Sequence, residues 1–402
     1  MNSMDNVRIE ESFERLLGYC EKEGFKGYDP YDGLNSKLFK SIPFFSNNRY
    51  VKLAWIQFFK RSPVNFRRLV GVEKEFNPKA IGLFLSSYCI LYKMDKKPEH
   101  LKRVNELASL ALDLRTKGWS GSCWGYNFDW QARAFFQPKG TPTVVATTFV
   151  ANALLDAFEI TNDRRLLDAA RSACDFVLCD LNRTPDESGR GFCFSYSPLD
   201  TSVVYNASLL GARLLSRVYS HTNEDTLIQE ARSAVLFVCE RQLSNGSWPY
   251  GAYDFHQWID NFHTGYNLEC IADFQRFSGS HEFDGVLRKG FEFYIETFFS
   301  DEGIPRYYSH QTYPIDVHTT SQLMVTVAKS GNFARYGQTC KNVLLWTIAH
   351  MQSKKEGRFF YQINRFFTSR ISYMRWSQAW MVYGMSVYLQ EVWKINQECS
   401  DR

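Results

Sequence analysis

The stretch EDTLIQEARSAVLFVCERQ (residues 224–242), followed by LSNGSWPY (243–250), decides the fold. Leu227, Ile228, Ala231, Ala234, Val235 and Val238 recur at three- and four-residue steps, which is the spacing of one helix face. The chain then turns at Asn245-Gly246, passes Trp248, Pro249 and Tyr250, crosses a polar loop and enters a second helix over 262–277. The same order recurs along the chain. Helix 101–116 leads through Trp119, Gly121, Trp124, Gly125 and Tyr126 to helix 142–160, and helix 163–180 through Gly191, Phe192, Phe194 and Tyr196 to helix 200–219. Helix 283–299 leads through Gly303, Pro305, Tyr307 and Tyr308 to helix 316–329, and helix 334–352 through Gly357, Phe359, Phe360 and Tyr361 to helix 374–394. A degenerate sixth copy opens the chain with helix 7–23, Gly24, Phe25, Gly27, Tyr28 and Tyr31.

The two helices of each unit differ. The first is amphipathic, as Leu166, Leu167, Ala170, Ala173 and Phe176 show for 163–180. The second, as in Val144–Leu155 and Val203–Leu215, is apolar or small almost all round and is therefore expected to be buried on both sides. Six outer–inner pairs are expected to close into an all-α (α/α)6 toroid rather than an open solenoid. The last inner helix needs covering, and helix 7–23 can supply the cover. Residues 1–402 are taken as one toroid domain, with the irregular stretch 27–77 adding a lid or a strand pair.

Composition bounds the function. Forty-seven basic and 43 acidic residues leave a net charge of +4, too balanced for a nucleic-acid face but compatible with an anionic small substrate. Ten cysteines, Cys399 the last, show neither CxxC nor zinc spacing, so no metal or other cofactor is expected. Most of them fall on apolar helix faces, which fits a reducing compartment and a cytoplasmic location. The amino terminus is charged from residue 5 onward, and no apolar run of about 18 residues is evident, so neither a signal peptide nor a membrane span is expected.

In a toroid the loops before the inner helices meet at one mouth, and here they are aromatic and polar. They supply Trp124, Trp248, Tyr250, Asp260, Arg306 and Asp316 as substrate-binding candidates, and His263 and His318 as acid/base candidates. Asp260-Asn-Phe-His263 and Asp316-Val-His318 each place an Asp at a helix N-cap with a His just after it, and His318 shares a face with Gln322. Arg365 and Arg375 are candidates to clamp a carboxylate through bidentate hydrogen bonds.

This layout resembles the six-hairpin carbohydrate enzymes: N-acylglucosamine 2-epimerases, unsaturated glucuronyl hydrolases and the helical domain of D-glucuronyl C5-epimerases. Asn245-Gly-Ser-Trp248-Pro249 is similar to the Gly-Trp-Pro turn of the last group, and Asp316-Val-His318-Thr319-Thr320 to its Asp-x-His-Thr-Thr segment. The amino-terminal β-rich region of the animal C5-epimerases is missing, as are the Asp-rich signatures of the toroidal terpene cyclases. The resemblance implies proton abstraction beside a uronate carboxylate and reprotonation on the opposite face, with tyrosines as acid and base. The candidates for those tyrosines are Tyr307, Tyr308, Tyr313 and Tyr373, with Arg375 or Arg365 as the clamp.

The leading expectation is thus an epimerase or lyase acting on a uronate or amino-sugar glycan in polysaccharide metabolism. One alternative is a glycoside hydrolase drawing two carboxylates from Asp129, Asp254, Asp260 and Asp316. The other is a non-catalytic glycan- or protein-binding toroid, with affinity carried by Trp124, Trp248 and Trp258.

Overall fold

The structure, a computed structural model, describes residues 3–43, 47–132 and 136–400, and the side chain of Cys399 lies outside the described residues. Twelve helices build the ring: α1 Ser3–Lys22, α2 Pro78–Asp95, α3 Pro98–Asp113, α4 Val144–Thr161, α5 Arg164–Asp175, α6 Tyr205–Thr222, α7 Asp225–Cys239, α8 Asn261–Ser278, α9 Asp284–Phe298, α10 Val317–Lys329, α11 Phe333–Met351 and α12 Trp380–Ser400. The even-numbered helices pack in sequence, α2 on α4, α6, α8, α10 and α12, and α12 returns to α2. The odd-numbered helices cover them from outside, and α1 covers α11 and α12. The molecule is the closed (α/α)6 toroid that the repeat implied.

The turn glycine of each unit after the opening copy has a packing reason, whereas Gly24 meets nothing within 4 Å. Gly246 has φ +89°, and a Cβ there would stand 2.4 Å from the Lys289 carbonyl oxygen on the next outer helix. Gly357 (φ +78°) meets Arg15 of α1 in the same way, at 2.5 Å, so the repeat's own turn closes the ring. That seam is also hydrogen-bonded. Ser12 Oγ donates to Gln352 Oε1 at 2.8 Å, Gln352 Nε2 to the Ser12 carbonyl at 3.0 Å, and Tyr19 to Ser372 Oγ at 3.0 Å.

By length and composition α4 could cross a membrane (mean hydropathy 1.4), contrary to the reading that no such run exists. It forms instead the inner wall of the ring, with 72% of the segment buried. Residues 27–77 pair at their ends through a single antiparallel bridge, Gly27 with Glu75, and form no extended strand pair among the described residues. They make a short 3-10 turn (Asp32–Asn35), a helical turn (Lys37–Lys40) and a helix, Arg49–Arg61, that lie across the mouth. Three small antiparallel sheets dress the loops, one of them joining Ile315–Asp316, Gln362–Ile363 and Thr368–Ser369. A wide π-type turn over Met374–Ala379 leads into α12 and brings Arg375 and Trp376 inward.

Candidate active site

All six inner helices begin at the mouth, and several carry side-chain caps there. Asn77 caps α2, Thr143 α4, Asp260 α8 and Asp316 α10. Functional side chains in these first turns therefore converge beside the positive ends of the helix dipoles. Each opening is also tied to the next loop through a tyrosine carbonyl. The backbone N–H groups of Val144, Tyr205, Asn261, Val317 and Met374 donate to Tyr196, Tyr250, Tyr307, Tyr361 and Tyr28. Tyr126 holds the corresponding place in the loop before α4, where the neighbouring helix α2 opens on Pro78 and has no N–H to give. One tyrosine per hairpin thus marks the mouth end of the ring, Tyr28 lining a cleft beside it, and the hydroxyls of Tyr126 and Tyr196 are 3.3 Å apart.

The two Asp–His helix starts resolve into different devices. Asp260 accepts the His263 backbone N–H at 3.0 Å, His263 Nδ1 at 2.7 Å and the Trp258 indole N–H at 3.0 Å. A carboxylate oxygen accepts, so the contact favours the tautomer that donates from Nδ1. The His263 side chain is 22% exposed, and among the described residues Nε2 has no hydrogen-bond partner. The ring is thus held through Nδ1 and leaves Nε2 unpaired at a partly exposed position.

Asp316 does not touch its histidine's ring. Its oxygens accept the His318 backbone N–H (2.9 Å), the Trp376 indole (3.0 Å) and Gln362 Nε2 (2.6 Å). Burial pushes its carboxyl up to about 6 against these stabilising bonds. Because the folded value lies above the unfolded value of 3.8, its favourable contribution is complete below about pH 4 and is lost as pH rises through about 6. The stability advantage of the wild type over Asp316→Asn, measured by urea unfolding, is therefore expected to shrink by up to about 3 kcal/mol between pH 4 and pH 7. An advantage that does not change with pH would show that Asp316 ionises normally.

His318 is sandwiched between Phe262 (centroids 4.7 Å apart, 8° between planes) and Trp380 (4.3 Å). Its Nε2 is 3.1 Å from the Tyr266 hydroxyl, and its buried Nδ1 has no partner among the described residues. Burial, followed by the charges of Lys79 and Arg375, holds its pKa well below the usual histidine value, so the ring stays neutral. One turn on, Gln322 Oε1 is likewise buried and unpartnered, which leaves unspent hydrogen-bonding capacity along the axis.

Lys79 completes the floor. It is almost fully buried in the first turn of α2, 3.4 Å from the Tyr266 hydroxyl, and is enclosed by Phe149, Tyr266 and Trp380 with its Nζ 4.0–5.3 Å from their ring centroids. It makes no ion pair among the described residues. Burial, then the charge of Arg375, holds its pKa well below that of an ordinary lysine.

The remaining candidates divide. Tyr250 belongs to the mouth, stacked on Trp258 (4.5 Å, 15°) and 4.6 Å from the His263 ring. Tyr307 packs edge-on to Phe262 at 5.3 Å, with Tyr308 beside it. Burial, then the Asp260 charge, pushes the phenols of both up. Tyr313 is exposed outside the cluster. Tyr373 is buried under the flap, its hydroxyl 3.4 Å from the Phe59 carbonyl and its ring 4.7 Å from the Arg67 guanidinium. Trp124 and Trp248 are not brought to the mouth. Their indoles donate to the Ala111 and Val238 carbonyls, at 2.7 and 3.0 Å, and fill the wall of their own hairpins. Arg306 is half-buried beside Tyr307, and Arg365 stands exposed at a hairpin tip. Arg375 does form a bidentate clamp, but its carboxylate is the chain's own Asp29, at 2.6 and 2.8 Å.

Lys79, Tyr266, Trp380 and Asp29 are the residues that the sequence reading missed. For Lys79 a signal was present: it is the one charged residue between Pro78 and Tyr92 in an otherwise uncharged run.

No protein-family profile matches the chain, and no curated protein matches it by sequence. Solved structures do. The cellobiose 2-epimerase of Bacillus thermoamylovorans aligns with TM-score 0.62 and 13% identity over 79% of this chain and 88% of its own. An unsaturated glucuronyl hydrolase specific for heparin aligns with TM-score 0.64 and 10% identity over 99% of both chains. A D-mannose isomerase aligns with TM-score 0.58 and 14% identity over 79% of this chain and 87% of its own. At these identities the likeness is one of fold.

Proposed function

We propose that the chain is a carbohydrate-active enzyme that moves a proton at a sugar carbon next to a carbonyl group, as in epimerisation or isomerisation. The observation that carries this reading is the Asp260–His263 pair, which leaves an imidazole lone pair at the mouth, beside the neutral, buried His318–Tyr266 pair. His263 Nε2 takes the carbon-bound proton, and the electron pair moves onto the carbonyl oxygen as an enediolate. The Tyr266 hydroxyl, hydrogen-bonded to His318, gives its proton to carbon, and the proton held on His263 then passes through solvent to the Tyr266 phenolate, which restores both groups. The helix N-termini supply positive potential for the transient anion. The names of two structural neighbours, a cellobiose 2-epimerase and a D-mannose isomerase, fit this chemistry.

The uronate form of the reading needs a cation free to hold a carboxylate. With Arg375 held by Asp29, Arg306 takes its place in the proposal. Hydrolysis has less support. Asp260 and Asp316 are spent on helix starts and their partners, Asp129 accepts the Lys139 backbone N–H at 2.7 Å, and Asp254 is exposed. A pure binding role loses two of its three tryptophans to the walls.

The test is proton NMR of uronate-containing oligosaccharides and of reducing disaccharides incubated with the protein in deuterated water. Deuterium at a carbon next to the carbonyl or carboxylate is the expected result. Chain shortening without exchange would replace this reading with hydrolysis.

A further inference from the structure

Residues 33–72 contain eight Lys and Arg and no Asp or Glu. Its described part, residues 33–43 and 47–72, is the flap across the mouth, and it is two-faced. Helix Arg49–Arg61 buries Ile56 and Phe59, while Trp55 donates to the Gly33 carbonyl at 3.0 Å and Lys60 to the Tyr31 hydroxyl at 3.0 Å. Its other face, at i, i+8 and i+11, turns Tyr50, Phe58 and Arg61 to solvent. Tyr50 is 78% exposed and Phe58 49%, and the loop that follows adds Val64 and Leu69, the latter 82% exposed, with Arg68 between them. Some of the flap's charge is spent locally, Lys37 on Glu73, Lys40 on Asp129 and Arg67 on Asp32. Arg61 and Arg68 have no ion pair among the described residues. Beside this loop, a cleft that includes Pro63 and Asn65 is lined by Lys26, Lys74, Arg358 and Arg370. Its one carboxylate, Glu23, is paired with Lys74.

We propose that the outer face of this flap, together with the basic cleft beside it, docks the protein on an anionic lipid bilayer. A soluble polyanion would use the arginines but not the exposed Tyr50, Phe58, Val64 and Leu69. A second copy of the chain would bring like charges together. An anionic membrane surface uses both features, the aromatic and aliphatic groups at the headgroup boundary and the cations on lipid phosphates. The inference stands apart from the proposed chemistry, although docking by this flap also brings the mouth to the membrane.

The test is co-sedimentation of the full chain with vesicles of phosphatidylcholine alone and of phosphatidylcholine mixed with phosphatidylglycerol. Pelleting is expected only with the anionic vesicles and is expected to weaken in high salt. Arg61→Glu combined with Arg68→Glu is expected to lower the apparent affinity roughly tenfold or more. Tyr50→Ser combined with Leu69→Ser is expected to lower it as well. All four positions are exposed, so each variant can be checked for an unchanged unfolding midpoint. Equal binding to neutral vesicles, no binding to either, heparin binding without vesicle binding, or wild-type binding by both variants would overturn the proposal.

Discussion

His263→Asn is expected to slow solvent-deuterium incorporation into a sugar substrate by about 10²–10⁴-fold while leaving KM within a few-fold. The substitution removes the Nε2 lone pair, while its shorter amide can still reach towards Asp260. Asp260→Asn should approach the same loss by another route. The amide that replaces the carboxylate can donate to Nδ1, which favours the tautomer with the proton on Nε2, where it blocks the base. The second variant separates base chemistry from simple shape, because an asparagine still caps a helix well. If His263→Asn retained wild-type exchange, the dyad would be a structural cap and the base would have to be sought among the ring tyrosines.

The second large effect concerns the flap. Asp29→Ala would leave the Arg375 guanidinium buried with its bidentate partner gone, and it would free the Tyr31 backbone N–H that Asp29 also accepts. Breaking a buried ion pair from one side costs about 3–5 kcal/mol. Urea unfolding should show that loss, and limited proteolysis should find new cleavage within residues 28–62. Asp29→Leu combined with Arg375→Met should recover much of the stability, because two apolar groups leave no charge stranded. A loss below about 1 kcal/mol for Asp29→Ala would mean that the flap is held without the Asp29–Arg375 pair, by its other ties such as Arg67–Asp32.

The ring could be read from the sequence because its physics is periodic. An amphipathic helix followed by an all-apolar one describes an outer wall and an inner wall, and each turn glycine after the opening copy marks where the next hairpin presses in. His263 and His318 could be found because a helix start fixes where its first-turn side chains go. Lys79 and Tyr266 meet only after six helices close, and helix periodicity does not report which inner faces oppose one another. Trp124 and Trp248 were misplaced for a different reason. The spacings Trp124-Gly-Tyr126, Phe194-Ser-Tyr196, Trp248-Pro-Tyr250 and Phe359-Phe-Tyr361 put an aromatic residue two positions before four of the six ring tyrosines. Alternation along this extended segment sends the first side chain into the wall and sets the second at the mouth. The pattern is visible in the sequence, but only the structure says which member faces which way. Arg375 was read as a clamp on its chemistry, and the clamp exists. Its partner lies 346 positions away, a pairing that no local pattern encodes.

The seam between α1 and α11–α12 has a kinetic consequence. Neighbouring outer walls are joined by contacts such as Arg171–Glu224 and Arg232–Glu282, which span 53 and 50 positions, whereas Ser12 and Gln352 are 340 apart. Closing the longer loop costs about 2 kcal/mol more in chain entropy. Five of the six interfaces can therefore assemble by local zippering, and the sixth must wait for them. The seam contacts should therefore form after the rate-limiting step, so substitutions at Ser12 or Gln352 should mainly speed unfolding, whereas those within a hairpin should slow refolding.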